Sequence, residues 1–153
     1  MKVLLLGPKQ SREGRPLIDV RVQLAACLTE AGHRAIILEH EPDAAGETLR
    51  HKFLRMAGEC DHAVLVWPAG AAMATTADEI VLLQEACERR EIEVVLILHE
   101  AEAEPRGHEL HVHSSSDQSR YLDGILTFEP FIITWSKEDT FERPLKQYAD
   151  AFL

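Results

Sequence analysis

The sequence predicts an α/β fold, a five-stranded parallel sheet in the flavodoxin-like order 2-1-3-4-5 with helices on both faces. Three observations predict it. Five short runs, residues 3–6, 35–38, 63–67, 94–98 and 131–135, are almost continuously apolar, as strands buried on both faces are. Stretches with helical periodicity separate most of these runs, and strand–helix alternation builds parallel sheets. The 153 residues match one domain, so 1–153 is expected to be a single unit with one sheet.

The elements follow in order. Residues 3–6 form the first strand, which Gly7-Pro8 ends. Val20, Leu24, Leu28 and Ala31 recur at helical spacing, and Gly32 stops that helix. After strand two, Leu49, Phe53, Met56 and Cys60 make a second stripe. After strand three, Ile80, Leu83 and Cys87 make a third. Residues 100–129 carry no clean stripe, and Pro105, Gly107 and Ser114-Ser115-Ser116 give them a loop-like composition, with room for a short helix over 120–126. Leu145, Tyr148 and Phe152 mark a last helix, with Pro144 in its first turn.

Composition narrows the function classes. Sixteen basic against 26 acidic residues give a net charge of -10, which disfavours nucleic-acid backbones and anionic membrane surfaces as partners. The apolar run at residues 3–6 is too short for a secretory core, and the longest uncharged stretch, 63–77, contains Pro68 and Gly70 and is too short to span a bilayer. A cytoplasmic location is expected. Cys27, Cys60 and Cys87 are odd in number and widely spaced, which fits reduced thiols and not a disulfide frame or a zinc site.

In an open α/β sheet, ligands bind beyond the carboxyl ends of the strands, where strand order reverses. Here that point lies between strands one and three, so residues 7–15 and 68–79 are the loops to inspect. The first offers Gly7, Pro8, Lys9, Ser11, Arg12 and Arg15, that is, three cations and a hydroxyl in an acidic protein. Charge and backbone N–H groups in such a loop can hold phosphate. It has neither GxGxxG nor GxxxxGK[ST], so no standard dinucleotide or P-loop signature is present. The second loop is small and uncharged until it enters a helix at Thr76-x-x-Glu79, which is capping-box spacing. The bland reading is that Thr76 caps, Glu79 closes the box and Asp78 complements the helix dipole. The sharper reading is a carboxylate held at a helix start beside the crevice, able to act as a nucleophile or to stabilise an oxocarbenium-like sugar. Asp78 is the fallback if the helix turns Glu79 away. Trp67, at the end of a central strand, is either core or a ring that stacks on a base. Glu39, ending strand two, can accept a ribose hydroxyl, and His99, ending strand four, can approach a ligand. His111-x-His113 would place two rings on one side of an extended segment, but a solvated loop is the simpler account. No metal site and no cofactor are expected.

A resemblance sharpens these readings. The opening strand, Gly7-Pro8, the polar loop, the helix ending Ala31-Gly32-His33, and then Cys60-Asp61-His62-Ala63-Val64-Leu65-Val66 followed by Thr76-Ala77-Asp78-Glu79-Ile80 resemble the nucleoside 2-deoxyribosyltransferase family and its TIR-like relatives over residues 1–99. The resemblance implies cleavage or transfer of an N-glycosidic bond in a nucleoside, nucleotide or NAD, with Glu79 matching the family's catalytic glutamate. The two crevice loops supply the expected substrate contacts, Gly7, Pro8, Lys9, Ser11, Arg12, Arg15, Trp67, Thr76 and Asp78, and because related folds often complete their sites with a second subunit, a homo-oligomer is expected. Where the transferases carry a tyrosine in strand one this chain has Leu4 and Leu5, and where they carry an aspartate ending strand three it has Trp67-Pro68. Two alternatives stay open: a non-catalytic nucleotide-sensing domain of the same fold, and a TIR-like protein-interaction module.

Overall fold

The structure is a computed structural model that describes residues 1–8, 13–14, 20–106, 109–112, 119–136 and 142–153. Strand β1 spans Lys2–Leu6, and helix α1, Val20–Glu30, leads to β2, Arg34–Ile37. Helix α2, Leu49–Ala57, precedes β3, His62–Trp67, and helix α3, Ala77–Arg89, precedes β4, Glu93–His99. Two short strands, β5 (Ala103–Arg106) and β6 (Glu109–Val112), are followed by helix α4, Ser119–Leu126, strand β7, Phe131–Trp135, and helix α5, Glu142–Phe152.

The main sheet is β2-β1-β3-β4-β7, and its four neighbouring pairs are all parallel. Counted along the chain, its five strands stand in the expected order 2-1-3-4-5. Alternate residues of each strand feed two cores. Leu4, Leu6, Ala63, Leu65, Trp67, Leu96 and Leu98 pack with Phe53, Met56, Ile80, Leu83, Leu122 and Ile125 from α2, α3 and α4. Val3, Leu5, Val64, Val66, Val95, Ile97 and Ile133 pack with Leu24, Leu28 and Tyr148 from α1 and α5. The period of two along a strand therefore separates α1 and α5 from α2, α3 and α4 on opposite faces.

Local signals explain several boundaries. Gly32 ends α1 in the left-handed region at φ 86, where His33 N–H reaches Leu28 O at 2.9 Å and Gly32 N–H reaches Thr29 O at 3.0 Å, a Schellman closure. The Thr48 hydroxyl caps α2 by accepting His51 N–H at 3.2 Å. Asp61 enters β3 as a polar residue that accepts Lys2 N–H at 3.1 Å, which lowers its carboxyl below the ordinary range.

Three sequence expectations need correction. The buried stripe of α1 is Arg21, Leu24 and Leu28, with Ala31 exposed beyond the helix end, so an arginine occupies a core-facing position. Leu49 of the α2 stripe is 62% exposed, and Cys60 lies past the helix, buried, with its thiol donating to Met56 O at 3.3 Å. Residues 100–129 hold an antiparallel hairpin as well as the short helix, since Ala103 pairs Val112 and Arg106 pairs Glu109. Two residues, beginning with Gly107, separate Arg106 from Glu109, and that two-residue Gly-first spacing is a hairpin signal in the sequence itself. The three cysteines are free thiols, and burial pushes the Cys60 thiol up to about 12. Among the described residues, no helix is long and apolar enough to cross a membrane.

Candidate functional site

The carboxyl ends of β1 and β3 approach each other at Gly7. A Cβ built there would meet the Val66 carbonyl oxygen at 2.8 Å and Arg21 Cδ at 3.6 Å, so only glycine lets the two strand ends sit this close. Gly7 and Pro8 are both buried. Of the other residues named in the first loop, Lys9, Ser11, Arg12 and Arg15 lie outside the described residues.

On the opposite face, the second loop turns through Gly70 at φ 71 and through a 3-10 turn, Met73–Thr76, directly into α3. That turn removes the expected capping box. Thr76 arrives already helical, at φ -103 and ψ -4, and its side chain makes no cap hydrogen bond. A cap residue needs an extended backbone for its oxygen to reach the first free N–H groups, and the 3-10 turn denies it that conformation. Thr76 is instead wholly buried, and its Oγ1 has no hydrogen-bond partner among the described residues.

The helix register then separates the two acids. Ile80, Leu83 and Ala86 are the buried stripe of α3, and Glu79 stands four residues before Leu83 on that same side. Glu79 is half-buried, and its Oε2 is shielded from solvent. Asp78 is exposed and lines a groove with Leu49, Arg50, Val81 and Leu82 between α2 and α3. The structure therefore brings Glu79, Thr76, Trp67 and the Gly7–Val66 contact to the same end of the sheet and turns Asp78 away from it. Trp67 lies in the core, wholly buried with Ala71 and Met73, and its Nε1–H has no partner among the described residues.

Two polar residues at this end were not found by sequence reasoning. Arg21 is 2% exposed, and its Nη1 lies 3.3 Å from both oxygens of Glu39. Glu102 is buried and accepts the Gly70 N–H at 2.6 Å. His99, the last residue of β4, is buried on the α1–α5 face, its ring edge-on to Trp135 at 5.1 Å and its Nδ1 accepting Ala101 N–H at 3.1 Å. His113 lies outside the described residues, as does the His111 side chain. Among the described residues, no group of three His, Cys, Asp or Glu side chains is arranged to hold a metal.

No family model matches the sequence, and no curated protein matches it. Solved structures do match. The TIR domains of the activated Roq1 resistosome, which recognises the pathogen effector XopQ, align with a TM-score of 0.62 at 15% identity, covering 99% of both chains. The CMP N-glycosidase BcmB of Clostridium botulinum aligns with a TM-score of 0.49 at 14% identity, covering 98% of this chain and 99% of its own. At these identities the likeness concerns the fold, and this chain has the α/β architecture of a TIR domain.

Proposed function

We propose that this chain cleaves or transfers the N-glycosidic bond of a nucleoside, nucleotide or NAD, with Glu79 as nucleophile or charge stabiliser. The observation that carries the reading is the placement of Glu79 on the core-facing side of the first turn of α3, with one carboxylate oxygen shielded from water. As the base or nicotinamide leaves, it takes the bonding electron pair and positive charge builds on the sugar. Glu79 meets that charge or bonds the anomeric carbon, and water or a second base then accepts the sugar. Lys9, Arg12 and Arg15, with Ser11 and the strand end Gly7-Pro8, would hold phosphate. Trp67 and Thr76 are wholly buried and would contact only a ligand that displaces their present packing, and Asp78 remains a contact only for a ligand that extends over the outer face of α3.

The test is product analysis after incubation with NAD and a panel of nucleosides and nucleotides, with Glu79→Gln in parallel. Release of base or nicotinamide that falls a hundredfold or more in the variant, roughly the worth of a positioned catalytic group, supports the reading. No release, with nucleotide affinity retained, assigns the chain to the sensor class.

A second reading, a self-associating interaction module, has its own observation. Leu49 and Val81 are 62% and 61% exposed on neighbouring helices, with Arg50 and Asp78 beside them. TIR domains of the same fold sit in a resistosome, an assembly. Size that rises with protein concentration, without affinity for any nucleotide, would favour this reading.

A further inference from the structure

We infer that Glu39 is the sugar-recognition residue of the site, accepting hydrogen bonds from the ribose 2′,3′-hydroxyls, and that Arg21 is the residue that positions it. The inference rests on the reading of the crevice as a nucleoside or nucleotide site and adds which sugar it selects.

Arg21 occupies a position that the helix would ordinarily fill with an apolar residue, since it continues the buried stripe of Leu24 and Leu28. A buried guanidinium carries a desolvation cost that a leucine would not. What the arginine supplies is its head, which sits 3.3 Å from both Glu39 oxygens and holds the carboxylate in one orientation. The pair is asymmetric. Arg21 has 2% side-chain exposure and Glu39 has 38%, so the cation is sealed beneath and the acid faces outward.

The pair also stands where a ligand would lie. Leu5 pairs with Ile37 on one side, and Leu6 pairs with Leu65 on the other. One step beyond Leu6 and Leu65, Gly7 and Val66 make their close approach, with the Arg21 stem against the same point. Glu39, just past β2, thus marks the α1 side of the crevice, and Glu79 marks the α3 side. β2 and β3 are two strand spacings apart, about 10 Å, and both acids follow the carboxyl end of the sheet. An ionised carboxylate only accepts hydrogen bonds. Glu39 therefore selects a donor such as a hydroxyl and repels phosphate. Two adjacent hydroxyls match two carboxylate oxygens.

The test is equilibrium binding of AMP and CMP against their 2′-deoxy and 2′,3′-dideoxy counterparts, for the whole chain and for Glu39→Gln and Arg21→Lys. Thermal melting of each variant reports that it is folded. The expected result is a ribose preference of about tenfold or more, the worth of a hydrogen bond to a charged group. It should collapse toward unity in Glu39→Gln and narrow in Arg21→Lys, where the Nη1 contact to both carboxylate oxygens is lost. Equal affinity for ribose and deoxyribose forms, a ratio unmoved in Glu39→Gln, or no affinity for any of these nucleotides overturns the inference. The two claims fail separately. Base release that needs Glu79 with an unmoved sugar ratio removes only the role of Glu39. A shifted ratio without base release removes only the catalytic role of Glu79.

Discussion

Gly70 N–H donates to Glu102 Oε1 across 2.6 Å, tying the loop between β3 and α3 to the turn that follows β4. Glu102 is 3% exposed, so this contact lies inside the structure. It ties down the segment that joins Trp67 to Thr76, both fully buried. Replacing Glu102 by Ala leaves the Gly70 N–H without that acceptor. The expected cost is about 1–3 kcal/mol of stability. Hydrogen exchange should speed up over residues 68–76 more than over β1. Uniform protection across both segments would show that the contact does not hold the loop.

Gly7→Ala tests the close approach of the strand ends. The added methyl would lie 2.8 Å from the Val66 carbonyl oxygen, and that oxygen belongs to backbone that cannot swing aside. Overpacking of this kind costs about 1–3 kcal/mol, read as a lower denaturation midpoint. Any nucleotide affinity should fall with it, because the carboxyl ends of β1 and β3 shift apart. An unchanged midpoint would mean that the strands part more easily than their packing implies.

His62 and Tyr148 pair at the opposite, amino end of the sheet, with Nδ1 and the phenolic oxygen 2.7 Å apart. Burial lowers the His62 pKa from its ordinary 6.5 and raises that of Tyr148. The native state thus binds fewer protons at His62 than the unfolded chain does. The stability this contributes is present above pH 6.5 and is lost as pH falls below it. Tyr148→Phe strands the imidazole nitrogen and should cost about 1–3 kcal/mol at pH 8. His62→Gln should flatten the slope of stability between pH 7 and the lowered pKa, whereas a retained slope would assign it to another group.

Glu47 contributes at lower pH. Arg55 meets it through Nε at 2.6 Å and Nη2 at 2.8 Å, and Ala44 N–H donates to it at 2.9 Å. Chiefly through the Arg55 hydrogen bonds, its pKa falls from 4.5 to about 2. The stabilisation is complete above pH 4.5 and drains away as pH falls toward 2. Acid titration of Glu47→Gln should show a shallower loss across that window than the parent chain. Identical acid limbs would show that the pair does not outlast its exposure to solvent.

The sequence by itself determined the sheet. Strands buried on both faces must be apolar throughout, and that requirement writes itself into five contiguous runs whatever the tertiary detail. The observed strands fall within one residue of those runs at each end. Gly32 and Thr48 act through bonds to near neighbours in the chain, so their ends of α1 and α2 follow from local chemistry. The sequence left the choice between Glu79 and Asp78 open, and the register of α3, with Ile80, Leu83 and Ala86 buried, decided which of the two acids faces the core side. Thr76 shows the limit. Its capping spacing was present, but the preceding 3-10 turn set its backbone and overruled it. Arg21 and Glu102 show it more fully. Nothing in their neighbours marks them as buried, because partners that make burial of a charge tolerable lie far off in the chain, Glu39 among those of Arg21 and Gly70 among those of Glu102. Periodicity reports the faces of elements, which a single chain segment carries. The polar contacts at the carboxyl end of the sheet join segments that meet only when the sheet assembles, so the tertiary structure alone decided them.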